Sequence, residues 1–167
     1  SDYHDDALGE FLDRIGSITV LTGAGVSTAS GIPDYRDANG DWKRPQPVQY
    51  GDFVRSEHAR RRYWARSLVG WRRFTEAKPS RAHHALAALE SVGRVRDVVT
   101  QNVDGLHQKA GSRRVIDLHG RLDRVECLSC GARSSRSALQ ERLERHNPRL
   151  GGLSASTAPD GDADLDT

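Results

Sequence analysis

The stretch GAGVSTASGIPDYRD, residues 23–37, directly follows a short β-like run, SITVLT, residues 17–22. Two glycines after a strand let a ligand approach the backbone closely, because they carry no Cβ. A helix that begins near Val26 would present free N–H groups and a positive dipole end to a phosphate. This arrangement is typical of a dinucleotide site at the end of the first strand of an α/β sheet.

The glycine fingerprint of such sites is only partly present. Gly23 and Gly25 match the first two glycines of G-x-G-x-x-G, but Thr28 occupies the third glycine position. A half fingerprint is a weak indication of nucleotide binding by itself. Thr28 and the extension that ends in DYR, residues 34–36, disfavour a dehydrogenase that transfers hydride.

Three motifs together resemble the signature of the sirtuin family, the NAD-consuming protein lysine deacylases. Residues 23–36 match G-A-G-x-S-x-x-S-G-I-P-D-[FY]-R at every specified position. TQNVDGLHQKAG, residues 100–111, resembles the second motif, and LHG, residues 118–120, resembles the His-Gly pair. The resemblance covers nearly all of residues 8–150, and within it residues 49–66 are most similar to the class II, mitochondrial-type branch.

The resemblance implies a set of functional residues. His119 would be the base that takes a proton from a ribose hydroxyl, with Asn102 and Asp104 as further catalytic residues. The residues expected to bind NAD are Gly23, Ala24, Gly25, Ser27, Asp34, Tyr35, Arg36, Trp42, Gln101, Asn102, Val103 and Asp104. The expected substrate is an acyl-lysine protein or peptide, and the products are free lysine, nicotinamide and O-acyl-ADP-ribose.

These assignments have structural and functional alternatives. A lone histidine at a strand end is more often structural, and Asn102 or Asp104 could cap a helix, which does not exclude a ligand contact through other atoms. We interpret His83 and His107 as structural. The alternative functions are protein ADP-ribosylation on the same scaffold, or a truncated fragment that acts as a binding module.

A second hypothesis concerns the arginine-rich segment. Tyr63 and Arg66 resemble a Tyr-x-x-Arg pair with which one sirtuin branch binds acyl groups that end in a carboxylate, a group that suits a guanidinium. Coincidence is an equal alternative because the segment holds many arginines. We expect the arginines of this segment to form a solvated helix face rather than a nucleic-acid site; they are Arg60, Arg61, Arg62, Arg66, Arg72 and Arg73.

Cys127 and Cys130 form C-x-x-C and are the only cysteines of the chain. By resemblance they are half of a structural zinc ribbon, which needs four nitrogen or sulfur ligands. The second pair that the family supplies is absent from this sequence. We therefore expect free thiols or a labile disulfide, and no tight zinc binding by this chain alone.

The predicted fold is α/β: a partial Rossmann-like parallel sheet with helices on both faces, a helical segment and half of a zinc-ribbon small domain. Apolar spacing predicts helices over 4–15, 52–75 and 82–89, and strands over 17–22, 95–100 and 115–118. Ser80 is the expected N-cap of the third helix. The predicted divisions are a NAD-binding part over 1–122 with a helical insertion at about 45–78, a partial zinc ribbon over 123–148, and a flexible acidic tail over 149–167.

Composition limits the partners. The formal net charge is only +2, which favours neither nucleic acid nor a membrane surface as a partner. The sequence has no apolar run long enough for a transmembrane helix and no signal-peptide pattern, so we expect a cytoplasmic protein, or a mitochondrial one in a eukaryote. By resemblance a complete sirtuin core is longer than this chain, so we expect weak activity or none from the 167 residues alone. The oligomeric state is not predicted.

Overall fold

Helices and strands alternate along the computed structural model, which describes residues 2–37, 39–41, 43, 47–150 and 160–163 and the side chains from residue 7 onward. Its elements are α1 (Asp2–Ile15), β1 (Ile18–Thr22), a 3₁₀ helix (Ala24–Ser30), α2 (Tyr50–Arg55), α3 (Glu57–Glu76), α4 (Arg81–Ser91), β2 (Val95–Thr100), α5 (Leu106–Ala110), β3 (Val115–Asp117), β4 (Arg124–Glu126), β5 (Arg133–Ser135) and α6 (Arg136–His146). In the part of the chain that the structure describes, no helix is long and apolar enough to cross a membrane.

Three strands form a parallel sheet in the order β1-β2-β3. Thr22 pairs with Thr100, and Thr100 pairs with Asp117, so the three strands end at one edge. The ladder continues past that edge: the Gln101 N–H donates to the Thr22 carbonyl at 3.0 Å, and the Leu118 N–H donates to the Thr100 carbonyl at 2.9 Å. The parallel α/β sheet predicted from the sequence is confirmed.

One face of this sheet is covered better than the other. Val95 and Val98 of β2 are buried, and α4 packs against this strand and against α5. The register places Leu21 and Ile116 beside Val99 on the same face. Their side chains are 65% and 52% exposed, so helices do not fully cover this second face within the described ranges.

The predicted helix over 52–75 is divided at Ser56. This residue is extended (φ −117°, ψ 119°), and its hydroxyl accepts from the Ala59 N–H at 3.2 Å, which makes Ser56 the N-cap of α3. The buried face of α3 includes Leu68, Val69 and Phe74. The expectation of a wholly solvated arginine face is wrong for one residue, Arg66, which is buried.

The β4–β5 hairpin and α6 attach to the helical insertion through polar contacts. Arg136 is 2% exposed, and its guanidinium donates to the carbonyl and hydroxyl of Ser67 at 3.2 and 3.1 Å. Its guanidinium carbon lies 4.7 Å from the ring centroid of Trp71, a cation–π contact. The Gln140 amide donates to the Leu68 carbonyl at 3.0 Å. A buried arginine with this many partners fixes α6 on α3.

The tail predicted as flexible contains a packed segment, residues 160–163, which we call the strap. Asp162 and Ala163 are 2% and 0% exposed. The Ala163 N–H donates to the Arg66 carbonyl at 3.0 Å, and the Arg66 Nε–H donates to the Ala163 carbonyl at 2.9 Å. The prediction of a mobile tail is therefore corrected for these four residues, because they are buried and bonded to α3.

The buried carboxyl of the strap makes stability depend on pH. Burial, and then Asp160, raise the pKa of Asp162 to about 7, although Arg66 and Arg136 oppose the rise. The folded state therefore holds this proton more tightly than the unfolded state. The stabilising contribution is complete below the ordinary pKa of 3.8 and is lost as the pH rises through about 7.

Asp162→Asn removes this titration. We expect the free energy of unfolding of the variant, relative to the wild type, to rise between pH 4 and pH 7 in urea denaturation. Asp41→Asn, on an exposed loop, is the matched control and should show a constant difference over the same range. A constant difference for Asp162→Asn as well would contradict the assignment.

Candidate active site

The three sequence motifs meet at the carboxyl edge of the sheet. Each follows one of the paired strands β1, β2 and β3 directly, which is where ligands bind in open α/β sheets. The helix expected near Val26 is a short 3₁₀ helix, Ala24–Ser30, with extended Gly23 as its N-cap. Gly31 ends it in the left-handed region (φ 81°), which glycine adopts without strain.

A buried hydroxyl joins the first motif to the second. The Ser27 hydroxyl donates to Asp104 Oδ2 at 2.7 Å, and Ser27 is 0% exposed. The Asn102 amide donates to the Gly23 carbonyl at 3.0 Å and to the Ser27 oxygen at 3.1 Å. The candidate NAD-binding residues of both motifs are therefore locked together before any ligand binds.

Asp104 uses its two oxygens for different purposes. Oδ1 accepts from the Leu106 N–H at 2.8 Å and so satisfies a free donor at the start of α5, while Oδ2 accepts from Ser27. The N-cap of α5 is Gly105, so the prediction that Asn102 or Asp104 is the N-cap is wrong. Asp104 instead accepts from the first N–H of α5 from the position before the cap, and it keeps a contact inside the site. Val103, between the two polar residues, packs against the cluster of Ile32, Phe74 and Leu106.

His119 is exposed and held by one ring nitrogen. Its Nδ1 lies 3.1 Å from the carbonyl oxygen of Gln101. A carbonyl can only accept, so Nδ1 carries the proton and the neutral ring keeps its lone pair on Nε2. The arrangement gives a solvent-facing base of fixed orientation at the sheet edge.

The glycines of the first motif border open space. A Cβ added to Gly23 or Gly25 would meet no atom within 4 Å, and neither residue has a positive φ. Neither packing nor backbone conformation therefore requires glycine at these two positions. Close approach of a ligand is the remaining physical reason for them.

The loop after the first motif is held by short contacts. Lys43 Nζ lies 2.7 Å from Asp34 Oδ1, and this hydrogen bond keeps the pKa of the carboxyl below its usual value. An Arg36 amino group donates to the Gly40 carbonyl at 2.6 Å. Burial, with smaller effects of the strap carboxylates, raises the pKa of Tyr35 well above its usual range. Trp42, also predicted to bind NAD, lies outside the described residues.

A buried pair of histidines supports the site from behind, and sequence reasoning assigned it no more than a structural role. The Ser80 hydroxyl lies 2.8 Å from His83 Nδ1 and 3.2 Å from the Val26 carbonyl. His107 Nε2 lies 2.9 Å from the Thr22 hydroxyl, and the two imidazole centroids are 4.7 Å apart. The pair thus connects α4 and α5 to the end of β1 and to the 3₁₀ helix. The three-residue spacing of Ser80 and His83 at the start of a helix was the feature of the sequence that could have predicted this contact.

Burial lowers the pKa of both His83 and His107. His83 Nδ1 accepts from the Ser80 N–H at 3.1 Å, and protonation of that nitrogen would break this bond. His107 Nδ1 has no hydrogen-bond partner in the described structure, so protonation would leave an unpaired buried donor on this ring. The neutral rings are therefore the stable form inside the protein.

Arg66 is engaged by the protein itself. Its Nε–H donates to Ala163 of the strap, and the nearest Asp162 oxygen lies 3.9 Å away. The hypothesis that Tyr63 and Arg66 bind an acyl carboxylate has no support from this geometry, because a carboxylate of the chain already lies beside the guanidinium.

Cys127 and Cys130 are exposed, free thiols at the turn between β4 and β5. Backbone N–H groups of Cys130 and Ser129 lower the pKa of Cys127. Within the described residues no cluster of three or more histidine, cysteine or acidic side chains could hold a metal. Two thiols are too few for a tetrahedral zinc site, so the residues present do not fit structural zinc.

Mutation of Ser27 tests the hydrogen bonds that join the first two motifs. Ser27→Ala removes the donor to Asp104 Oδ2 and one of the two acceptors of the Asn102 amide, so we expect a loss of about 1–3 kcal/mol in the free energy of unfolding. Ser91→Ala, which removes an exposed bond to the Ala88 carbonyl, should cost less than about 0.5 kcal/mol. Equal, small losses in guanidinium denaturation would contradict the role of these hydrogen bonds.

Acid should weaken the histidine pair. Because the folded-state pKa values are lowered, the contribution of the pair to stability is present above pH 6.5 and is lost as the pH falls below it. We expect His83→Asn to reduce the loss of thermal stability between pH 7 and pH 5, and His84→Asn, on the exposed side of α4, to leave it unchanged. An unchanged acid response of His83→Asn would show that the pair is not its source.

Known proteins resemble this chain over most of its length. The NAD-dependent protein deacetylase 2 of Bradyrhizobium diazoefficiens is 60% identical over 162 residues, which is 97% of this chain and 59% of that protein. An NAD-dependent protein deacetylase of Xanthomonas campestris is 59% identical over 96% of this chain and 55% of its own length. The chain thus spans little more than half the length of these curated relatives.

Solved structures and a family model agree with the sequence relatives. A Sir2 complex with a p53 peptide and NAD+ superposes with a TM-score of 0.71 at 32% identity, over 94% of this chain and 60% of that chain. The Sir2 family model matches residues 23–155, a range that contains all three motifs at the sheet edge. This chain therefore belongs to the Sir2 family, the sirtuins.

Proposed function

We propose that this chain carries the catalytic edge of an NAD-dependent protein lysine deacylase. The observation that carries the proposal is His119, exposed at the sheet edge with Nδ1 on the Gln101 carbonyl and Nε2 left to accept a proton. Two sequence relatives named as NAD-dependent protein deacetylases support the same activity.

The residues present fit the nicotinamide and ribose part of NAD. Open space above Gly23 and Gly25 admits a ligand to the backbone, and Asn102 and Asp104 line the neighbouring loop as fixed amide and carboxylate groups. Gln101 follows β2 at the same edge. We assign these residues to holding and orienting NAD, together with the loop that contains Asp34 and Arg36.

When bound, NAD would supply the ribose carbon that carries nicotinamide. The acyl oxygen of the substrate lysine would attack this carbon as its bond to nicotinamide breaks. His119 then acts as the general base for a ribose hydroxyl, and Nε2 receives the proton. The Gln101 carbonyl keeps the ring in the tautomer that this step needs, since it accepts from Nδ1–H. The Ser27–Asp104 bond keeps the two binding loops at a fixed separation during the reaction.

The proposed partner is an acyl-lysine in a protein or peptide. A related Sir2 structure that holds a p53 peptide with NAD+ supports this substrate class. Structural zinc at Cys127 and Cys130 stays a prediction of the resemblance, and no step of the proposed reaction depends on it.

A chimera tests the function at full length. In it this chain replaces the matching region of the Bradyrhizobium diazoefficiens relative, of which it covers 59%. We expect the chimera with NAD and an acetyl-lysine peptide to give deacetylated peptide and O-acetyl-ADP-ribose in equal amounts by mass spectrometry. His119→Ala should lower the rate by about 100-fold or more, because the base is lost.

His84→Ala is the matched control, since this histidine is exposed on α4 and outside the site; its rate should equal that of the unmodified chimera. Transfer of ADP-ribose to the peptide or protein, without loss of the acyl group, would instead assign ADP-ribosylation. A rate that is insensitive to His119→Ala would overturn the proposed role.

A further inference from the structure

The strap is seated in a notch of α3 that only glycine allows. A Cβ on Gly70 would lie 2.0 Å from the Gly161 carbonyl oxygen and 2.8 Å from the Ala163 nitrogen, closer than real Cβ atoms come to such atoms. Glycine inside a helix destabilises that helix relative to alanine. The close backbone approach of the strap is therefore the structural reason for glycine in the middle of α3.

Polar contacts hold the strap in this notch. Arg66 and Ala163 exchange two hydrogen bonds, one from the backbone N–H of Ala163 and one from the Arg66 side chain. The carboxylate of Asp162 is buried 3.9 Å from Arg66 Nε, and Arg136 of α6 is a second cation that acts on it. Asp160 lies in the strap itself, where its Oδ1 accepts from the Asp162 N–H at 3.2 Å.

The strap also lies against Leu122, a residue close to the catalytic loops. Gly161 is in the left-handed region (φ +80°), and a Cβ there would lie 2.7 Å from Leu122 Cδ1 and 3.3 Å from Phe74 Cδ2 of α3. The Leu122 N–H donates to the Val103 carbonyl at 3.0 Å. Leu122 follows His119 by three residues, and Val103 lies between Asn102 and Asp104. A displacement of Leu122 is thus transmitted to both loops.

The strap also acts electrostatically on the loop of the first motif. Asp160 and Asp162 add to the effect of burial in raising the pKa of Tyr35, a half-buried residue between Asp34 and Arg36. Ile32 of the same motif packs in the cluster that contains Phe74 and Leu122. The strap therefore lies against α3 and Leu122, and Leu122 connects it to the packing of the first motif and to the loop of the second.

We propose that the strap is a positioning element of the active site: seated on Gly70, it fixes Leu122, and through this residue the His119 turn and the loop of Asn102 and Asp104. The functional part of this inference rests on the proposed function. Gly161 and Asp162 are positioning residues, since they touch no reacting atom.

The test uses Gly70→Ala in the 167-residue chain, with Gly9→Ala in α1 as the matched control. The added methyl clashes with the strap at Gly70 but meets no atom within 4 Å at Gly9. Hydrogen exchange should become at least about tenfold faster at the amides of Ala163 and Leu122 in Gly70→Ala and stay unchanged in Gly9→Ala. Gly161→Ala leaves the sequence of α3 unchanged, displaces the strap through strain at a positive φ and contact with Leu122 and Phe74, and should reproduce the effect if Gly70→Ala fails to fold.

The readout for positioning is the tautomer of His119, measured from its ring ¹⁵N chemical shifts. We expect the wild type and Gly9→Ala to show Nδ1–H, and the strap variants to show a mixture of tautomers, because the Gln101 contact is relaxed. The dissociation constant for NAD, from calorimetry, should rise about fivefold or more in the strap variants.

Unchanged hydrogen exchange at Ala163 in both strap variants would contradict the packing of the strap against Gly70. Faster exchange at Ala163 with unchanged Leu122 exchange and an unchanged His119 tautomer would overturn the positioning role. If the wild-type chain showed the expected exchange and tautomer but the full-length chimera that contains it bound no NAD, the result would contradict the proposed function and not the role of the strap.

Discussion

The hydrogen bond from Ser27 to Asp104 joins the first and second motifs at the sheet edge where the candidate active site lies. It joins residues that are 77 positions apart in the chain, and each of the two residues makes a further hydrogen bond. The Ser27 oxygen also accepts from Asn102, and the second oxygen of Asp104 accepts from the Leu106 N–H at the start of α5. Because Leu106 of that helix is fully buried in the core, the bond links the ligand-facing loops to the packing of the domain.

Position along the sheet edge was predictable, whereas the contacts across it were not. Apolar runs that end in polar motifs predict parallel strands, and parallel strands end at one edge, so the meeting of Gln101 and His119 follows from the sequence alone. The donor and acceptor of Ser27 and Asp104 depend on how two loops fold over that edge. The segment where the sequence predicted a helix near Val26 is a 3₁₀ helix, with Gly23 and Gly31 as its caps and Gly25 inside it.

The strap shows the limit of local composition more sharply. A run of glycine, alanine and aspartate has little apolar surface, so its sequence predicts solvent exposure. Its burial depends on Gly70, Arg66 and Arg136, which lie far away in the chain and supply space and positive charge. The same tertiary contact decides the role of Arg66. Its place on an arginine-rich helix predicts a surface residue or a substrate ligand, whereas in the structure its side chain binds the backbone of the strap.

Burial also separates two roles of histidine in this part of the structure. The rings of His83 and His107 are inside the protein, where a charge is expensive, so they serve as neutral supports. His119 has the opposite environment: one nitrogen is committed to the Gln101 carbonyl, and the ring is exposed. A general base must accept a proton and later return it to solvent, which a buried ring of lowered pKa cannot do efficiently. Exposure and a single fixed nitrogen, rather than residue type, therefore distinguish the proposed base from the two buried histidines, which connect α4 and α5 to the end of β1 and to the 3₁₀ helix.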